Sequence, residues 1–284
     1  MPADPTKQKP IFQADFLEVR QCKRGVFGYY LTDTRQAVSL GRYGELFDPQ
    51  VSLLLELIEP DDLVVDVGAG LGAYTVPFAR KLLRGGGVVH AFDSARLNHQ
   101  SLVMNVGLNR LINVFDHRLA IGEAPGTIKV PLMNPLKKQD FGVLPAGAEQ
   151  GEMVQVITLD QMGFERCRLI KVDVSGQELR VLKGAQTLIQ NLGPVLFIAY
   201  PGNDQPIRDL LTFLQAIDYQ AWWHFADVFQ AGNYAQSTTN HFPGQMPDTN
   251  ILALPKAAQA RFPKMEPVAD LDDYRGAALK RSSD

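Results

Sequence analysis

Several things are scarce in this chain. Its 284 residues hold two cysteines, Cys22 and Cys167, with no metal-ligand spacing between them. No stretch approaches the roughly 18 to 20 apolar residues that span a bilayer. The N-terminus lacks the basic segment and following apolar run of a secretory signal. A reduced, cytoplasmic protein with no membrane partner is therefore expected. Charge of one sign is also scarce. The net charge is −3 and the pI near 6.0, so no strong field draws the chain to nucleic acid, and no nucleic-acid partner is expected. The five histidines are scattered, with His90, His117 and His224 on separate predicted strands, and no metal site is expected.

What is present is a sizeable apolar fraction, 45%, enough for one large domain, and a single organising stretch at residues 63–75, Leu-Val-Val-Asp-Val-Gly-Ala-Gly-Leu-Gly-Ala-Tyr-Thr. Residues 63–67 read as a buried parallel strand. Gly68, Gly70 and Gly72 follow at alternate positions, a turn that glycine makes cheaply, leading into a helix whose first N–H groups are unpaired. That is a cradle for a small molecule. A dinucleotide fold writes G-x-G-x-x-G beside a pyrophosphate. Here Asp66 sits on the strand and the third glycine is one place too early. An anion there disfavours a pyrophosphate and suits the amino group of a methionine moiety, which points to S-adenosylmethionine.

The rest of the chain alternates strand and helix. Residues 1–10 read as a mobile arm, and 16–40 as a hairpin lid around Gly25 and Gly28. A helix over 49–58 has Asp48 as its N-cap and Pro49 in its first turn. Further helices are expected over 73–83, 95–106, 178–190 and 207–216, and strands over 88–92, 112–117, 154–159, 169–174, 195–200, 220–225 and 251–254. Residues 122–153 break the alternation and read as an insertion beside the site, with a strand at 127–131. The pattern is that of a doubly wound α/β sheet. The expected divisions are an arm and hairpin over 1–45, a main domain over 46–256 and a polar tail over 257–284. Asp93 ends the second strand, where an acid accepts hydrogen bonds from ribose hydroxyls; its plainer role is a helix cap that Ser94 could share. Residues 118–121 are expected under an adenine ring.

Taken together these pieces resemble the FkbM-type S-adenosylmethionine-dependent methyltransferases over roughly residues 43–255. The resemblance rests on Tyr43-Gly44-Glu45, Val65-Asp66-Val67-Gly68-Ala69-Gly70-Leu71-Gly72, Ala91-Phe92-Asp93, Asn105 and Asn109, Thr158-Leu159-Asp160, Ile170-Lys171-Val172-Asp173-Val174-Ser175-Gly176-Gln177-Glu178, Leu182-Lys183-Gly184-Ala185 and Asn250-Ile251-Leu252. It implies a Rossmann-like class I methyltransferase fold: a mostly parallel seven-stranded sheet with helices on both faces, a small N-terminal hairpin and an insertion after the third strand. It also implies methylation of a hydroxyl on a sugar or natural-product small molecule. Two positions depart from the family pattern. Ser175 stands where a glutamate is usual, removing a charge beside the reaction centre, and Asp93-Ser94 replace a glutamate and proline.

The cofactor set expected is Tyr43, Glu45, Asp66, Gly68, Ala69, Gly70, Gly72, Tyr74, Thr75, Asp93, Ser94, Asn98, Arg118, Leu119, Ala120 and Asp173. For catalysis the candidates are Asp173, at the carboxyl end of the fourth strand, as base or orienter; Lys171, two residues earlier on the same face and able to pair with it; and Glu178, opening the next helix. Asn233, Tyr234, Asn240 and His241 are candidates to touch the acceptor. Two other readings remain: a binding protein that kept the pocket and lost catalysis through Ser175, and an NAD-dependent oxidoreductase.

Overall fold

The apolar, β-branched runs do form strands, and in this computed structural model they build one twisted sheet with helices packed on its two faces. The structure describes residues 9–143, 150–200 and 207–268. Most of the expected arm (residues 1–8), residues 144–149 of the insertion and residues 269–284 of the tail lie outside the described residues. In chain order the elements are β1 (Phe12–Gln13), β2 (Leu17–Cys22), β3 (Gly25–Tyr30), α1 (Gln36–Val38), a π-helical turn (Ser39–Tyr43), α2 (Asp48–Glu56), β4 (Leu63–Val67), α3 (Thr75–Leu82), β5 (Val88–Phe92), α4 (Arg96–Leu108), β6 (Val114–His117), β7 (Ala120–Ile121), β8 (Gly126–Val130) and β9 (Glu152–Ile157). Then come β10 (Leu169–Val172), α5 (Glu178–Lys183), α6 (Gln186–Leu192), β11 (Val195–Tyr200), α7 (Ile207–Ala216), β12 (Tyr219–Ala226), β13 (Asp248–Pro255) and β14 (Glu266–Pro267).

The main sheet runs β14-β12-β13-β11-β10-β4-β5-β6. Strands β11, β10, β4, β5 and β6 pair in parallel, whereas β13 is antiparallel to both β11 and β12, and β14 is antiparallel to β12. It is thus a mixed sheet of eight strands where seven were expected, with four of its seven pairings parallel. The eighth strand comes from the stretch expected to be tail. Glu266 and Pro267 pair with Trp223 and Trp222, and the Phe262 ring packs edge-on against Trp222 at 5.0 Å. A polar average over that stretch hid one aromatic anchor.

Alternate residues of the central strands feed two cores, one per face. Val64 and Leu169 pack with α2 and α3, while Val65, Val67, Ile170 and Val172 pack with α5, α6 and α7. The N-terminal hairpin belongs to the first core: Cys22, Phe27 and Tyr29 are buried in it, so it is not a lid standing clear of the core. Two asparagines one turn apart, Asn105 on α4 and Asn109 capping its C-terminal end, dock it. Asn109 accepts from Val26 N–H and donates to Val26 O, and Asn105 does the same with Gly28 while also donating to Leu71 O. The helix thereby offers β3 the backbone-like partners that a neighbouring strand would, each bond contributing about 1 kcal/mol.

Two helix expectations need correction. Asp48 does not cap α2; Phe47 precedes it at φ 55°, and the Asp48 carboxylate pairs with Lys23 (2.6 Å) and Arg24 (2.7 Å) of the hairpin turn. The helix expected over 178–190 is two helices. A side chain at Gly184 would run into the Gly122 carbonyl, so the insertion's backbone passes hard against the helix there and α5 ends. The insertion contributes β8 to a second small sheet, ordered β7-β9-β8, whose other strands flank it in the chain. Its later part is tied to the N-terminal segment, with Gln139 N–H donating to Thr32 O and Thr34 N–H to Gln139 O.

Candidate active site

The parallel strands β4, β5 and β10 end side by side, and their carboxyl ends open into a cavity of about 570 Å³. The turn after β4 sets its floor. Gly68 has φ 76°, and a Cβ there would collide with the carbonyl of Asp173, so this glycine lets the turn lie against the end of β10. Gly70 has φ 56° and nothing within 4 Å of a Cβ position: it faces open space. Of the expected residues, Gly68, Ala69, Gly70, Tyr74, Asp93, Ser94, Asn98, Leu119, Ala120, Lys171 and Asp173 all line this cavity.

Asp93 ties the start of α4 to the glycine turn. One carboxylate oxygen accepts from Ala95 N–H at the start of α4 (2.9 Å), and the other accepts from Gly70 N–H across the turn (2.8 Å). Burial pushes its pKa up to about 6, against the lowering effect of those two N–H groups. Asn98 is spent on the wall, donating to Phe141 O of the insertion.

Asp66 is a correction. It is 0% exposed and does not reach the cavity. Its Oδ2 accepts from the Thr75 hydroxyl (2.7 Å), and its Oδ1 lies 3.1 Å from the Lys171 ammonium, close enough to pair but without hydrogen-bond alignment. Asp66 and Lys171 are register partners on adjacent strands, which is why they meet. Lys171, 2% exposed, also donates to Gly68 O (2.8 Å), and stands 3.9 Å from Asp173. The expected Lys171–Asp173 pair is the looser contact. Lys171, Asp66 and Thr75 thus form a buried brace beneath the glycine turn.

Asp173 is different. Its side chain is 39% exposed, at the mouth of the cavity. Glu178 is turned away: its carboxylate accepts from Val174 N–H (3.3 Å) and Gly176 N–H (2.9 Å), holding the loop that carries Ser175 at φ 43°. Burial first, with Asp173 nearby, raises its pKa, while the N–H bonds lower it. Glu178 is a loop brace, not a cavity residue.

The remaining expected residues lie elsewhere. Tyr43 and Glu45 do not line the cavity. Glu45 accepts from Tyr234 N–H and pairs with Lys23, and the Tyr43 hydroxyl accepts from His241 N–H (2.7 Å). Asn233 staples its own loop through Gln230 O and Ser237 O, and Asn240 accepts from Phe242 N–H. These four late-loop residues therefore build a loop over Tyr43 and do not border the cavity. Arg118 pairs with Glu152, outside the lining, and Gly72 packs toward Leu102.

Sequence reasoning missed Gln36, Phe47, Ile128, Lys129, Gln177 and Arg180, which also line the cavity, and the Arg35–Asp248 ion pair close to it. Ser175 lines it too. Asp248 opens the strand that carries Asn250, a signal that could have been followed; Phe47 and Arg35 sit in a segment with no periodicity. Among the described residues no group of three or more His, Cys, Asp or Glu side chains could hold a metal ion, and no helix is long and apolar enough to cross a membrane.

A family model, the methyltransferase FkbM domain, matches residues 66–221, more than half of the chain, from the brace acid Asp66 to the middle of β12. The chain belongs to the FkbM methyltransferase family. No curated protein matches it. Among solved structures it is similar to a methyltransferase FkbM from Methylobacillus flagellatus KT, at 20% identity over 69% of this chain and 44% of that one, with a TM-score of 0.49. The match thus spans less than half of that protein's length. It is also similar to M. jannaschii TYW2 in complex with AdoMet (12% identity, 87% and 88% of the two chains, TM-score 0.45) and to a putative methyltransferase from Streptococcus mutans in complex with SAH (13%, 74% and 98%, 0.45).

Proposed function

We propose that this FkbM-family member transfers a methyl group from S-adenosylmethionine to a hydroxyl oxygen of a small molecule, a sugar or other natural-product scaffold. The observation that carries the reading is the open face of Gly70, set between the buried carboxylate of Asp93 and the exposed carboxylate of Asp173 in one cavity. A volume of about 570 Å³ is in the range of small-molecule sites. The residues fit the cofactor. Asp93 and Ser94 would hold the ribose, Leu119 and Ala120 the adenine, and the open turn at Gly70 the amino-acid end. When bound, the cofactor supplies an electrophilic methyl, whose carbon–sulfur bond breaks with its electron pair left on sulfur. The chain's part is to exclude water, align the acceptor and take its proton, for which Asp173 is placed. Ser175 removes one acid from the cavity rim and leaves this one.

Incubation with ¹³C-methyl S-adenosylmethionine and a panel of hydroxylated glycosides and phenols tests the reading by NMR. An O-methyl signal is expected; methylation confined to nitrogen or carbon would overturn it.

Asp93 makes the cofactor half testable by pH. Its free-state pKa is about 6, and ribose hydroxyls donating to it favour the ionised form, so the complex holds its proton less tightly. Below pH about 6 binding must expel that proton, and affinity for S-adenosylhomocysteine should fall by up to about tenfold per pH unit. Asp93→Ala should lose about ten- to hundredfold in affinity at pH 7.5 and with it this pH dependence. Titration calorimetry at pH 7.5 and 5.0 checks both; a parent with flat affinity across that range removes Asp93 from the ribose.

A further inference from the structure

Tyr74 follows the glycine turn as the residue that opens α3. Its ring is pinned on three sides: stacked on Phe47 with centroids 5.3 Å apart, tilted against Phe78 at 6.1 Å, and covered by the Lys171 ammonium 4.8 Å from its centroid. It is only 4% exposed, yet it lines the cavity. Buried phenol hydroxyls ordinarily find a partner. Among the described residues, none gives this one a hydrogen bond. The surrounding charge keeps it a donor: burial, then the carboxylates of Asp173, Asp248 and Asp66, raise its pKa well above 10, with Arg35 opposing. A fixed ring therefore presents an uncommitted O–H in the cavity, in the field of Asp173.

We propose that the Tyr74 hydroxyl positions the acceptor oxygen at the point of transfer, opposite Asp173, and that this donor–acceptor pair selects a hydroxyl over an amine. The inference rests on the methyltransferase reading above and deepens it. A hydroxyl oxygen has one proton and two lone pairs. The proton goes to the Asp173 carboxylate, one lone pair accepts from Tyr74, and the other forms the new carbon–oxygen bond as the carbon–sulfur bond breaks onto sulfur. A neutral amine has a single lone pair, so accepting from Tyr74 leaves it none for the methyl carbon. An ammonium has none at all. Tyr74 is thus a positioning group for oxygen nucleophiles, and the brace ion Lys171 holds it by its ring face.

Sinefungin, whose amine replaces the sulfonium methyl, reads the transfer point without any acceptor. Sinefungin and S-adenosylhomocysteine are titrated into the parent and Tyr74→Phe. The substitution keeps the ring and removes no hydrogen bond among the described residues, so the melting temperature should hold. The expected result is S-adenosylhomocysteine affinity within about twofold of the parent and sinefungin weakened about three- to tenfold, because its ammonium loses the phenol oxygen. Equal losses for both would place Tyr74 on the cofactor's amino-acid end, and unchanged affinity for both would leave it facing neither; each overturns the proposal. A parent that binds neither compound overturns the cofactor reading beneath it, a result distinct from these. In the labelled-methyl panel, glucosamine, which carries both groups, should give only O-methyl product, and an N-methyl product would overturn the selection.

Discussion

Asp173→Asn is expected to lower turnover about 10²- to 10⁴-fold while leaving S-adenosylhomocysteine affinity nearly unchanged. The substitution keeps the shape at the cavity mouth and removes the group able to take a proton. Its neighbour in sequence makes the internal control. Glu178→Gln should cost stability and spare turnover, because the Glu178 carboxylate is committed to Val174 and Gly176 N–H groups and does not line the cavity. Steady-state kinetics and thermal melts on the two variants separate the roles. If Asp173→Asn retained turnover and Glu178→Gln lost it while folded, the chemistry would sit one turn further along the chain. If both retained turnover, proton removal would fall to solvent, and transfer would rest on proximity alone.

Lys171→Met carries the largest expected effect on stability. The ammonium faces Asp66, which is 0% exposed and whose other oxygen is held by Thr75. Removing one partner of a buried pair strands the other charge and typically costs about 3–5 kcal/mol. The double variant Lys171→Met/Asp66→Asn should be more stable than Lys171→Met alone, since the uncompensated charge is gone. Urea denaturation measures both. A Lys171→Met protein within about 0.5 kcal/mol of the parent would show that the brace does not hold the turn.

The cavity wall built by β4, the glycine turn and the end of β5 was legible in sequence because local rules govern it. A β-branched run, glycines at a forced turn and an acid at the next strand end each sit within one βα unit. Register is not written that way. Alternation correctly put Lys171 and Asp173 on one face of β10, but it could not say that Asp66 on β4 stands beside Lys171, so Asp66 was assigned to the ligand when it is spent beneath it. The rest of the cavity's surroundings was mostly hidden for the same reason. Phe47, Gln36 and the Arg35–Asp248 pair come together from segments far apart in the chain, and none shows a period. The hairpin read as a lid because its docking uses asparagine side chains against backbone, which hydrophobic pattern does not report. Gly184, just past α5, has no room for a side chain only because Gly122 arrives beside it from a distant segment.

The central claim is that the open turn at Gly70 cradles the amino-acid end of S-adenosylmethionine, and calorimetric titration of S-adenosylhomocysteine into the parent and Gly70→Val tests it most directly. A valine side chain would enter the cavity at a position with φ 56°, where only glycine is unstrained. The account predicts one-to-one binding by the parent, no heat from NAD, and no detectable binding of S-adenosylhomocysteine by folded Gly70→Val. Equal affinity in the two proteins, or a parent that binds NAD in place of S-adenosylhomocysteine, would contradict it.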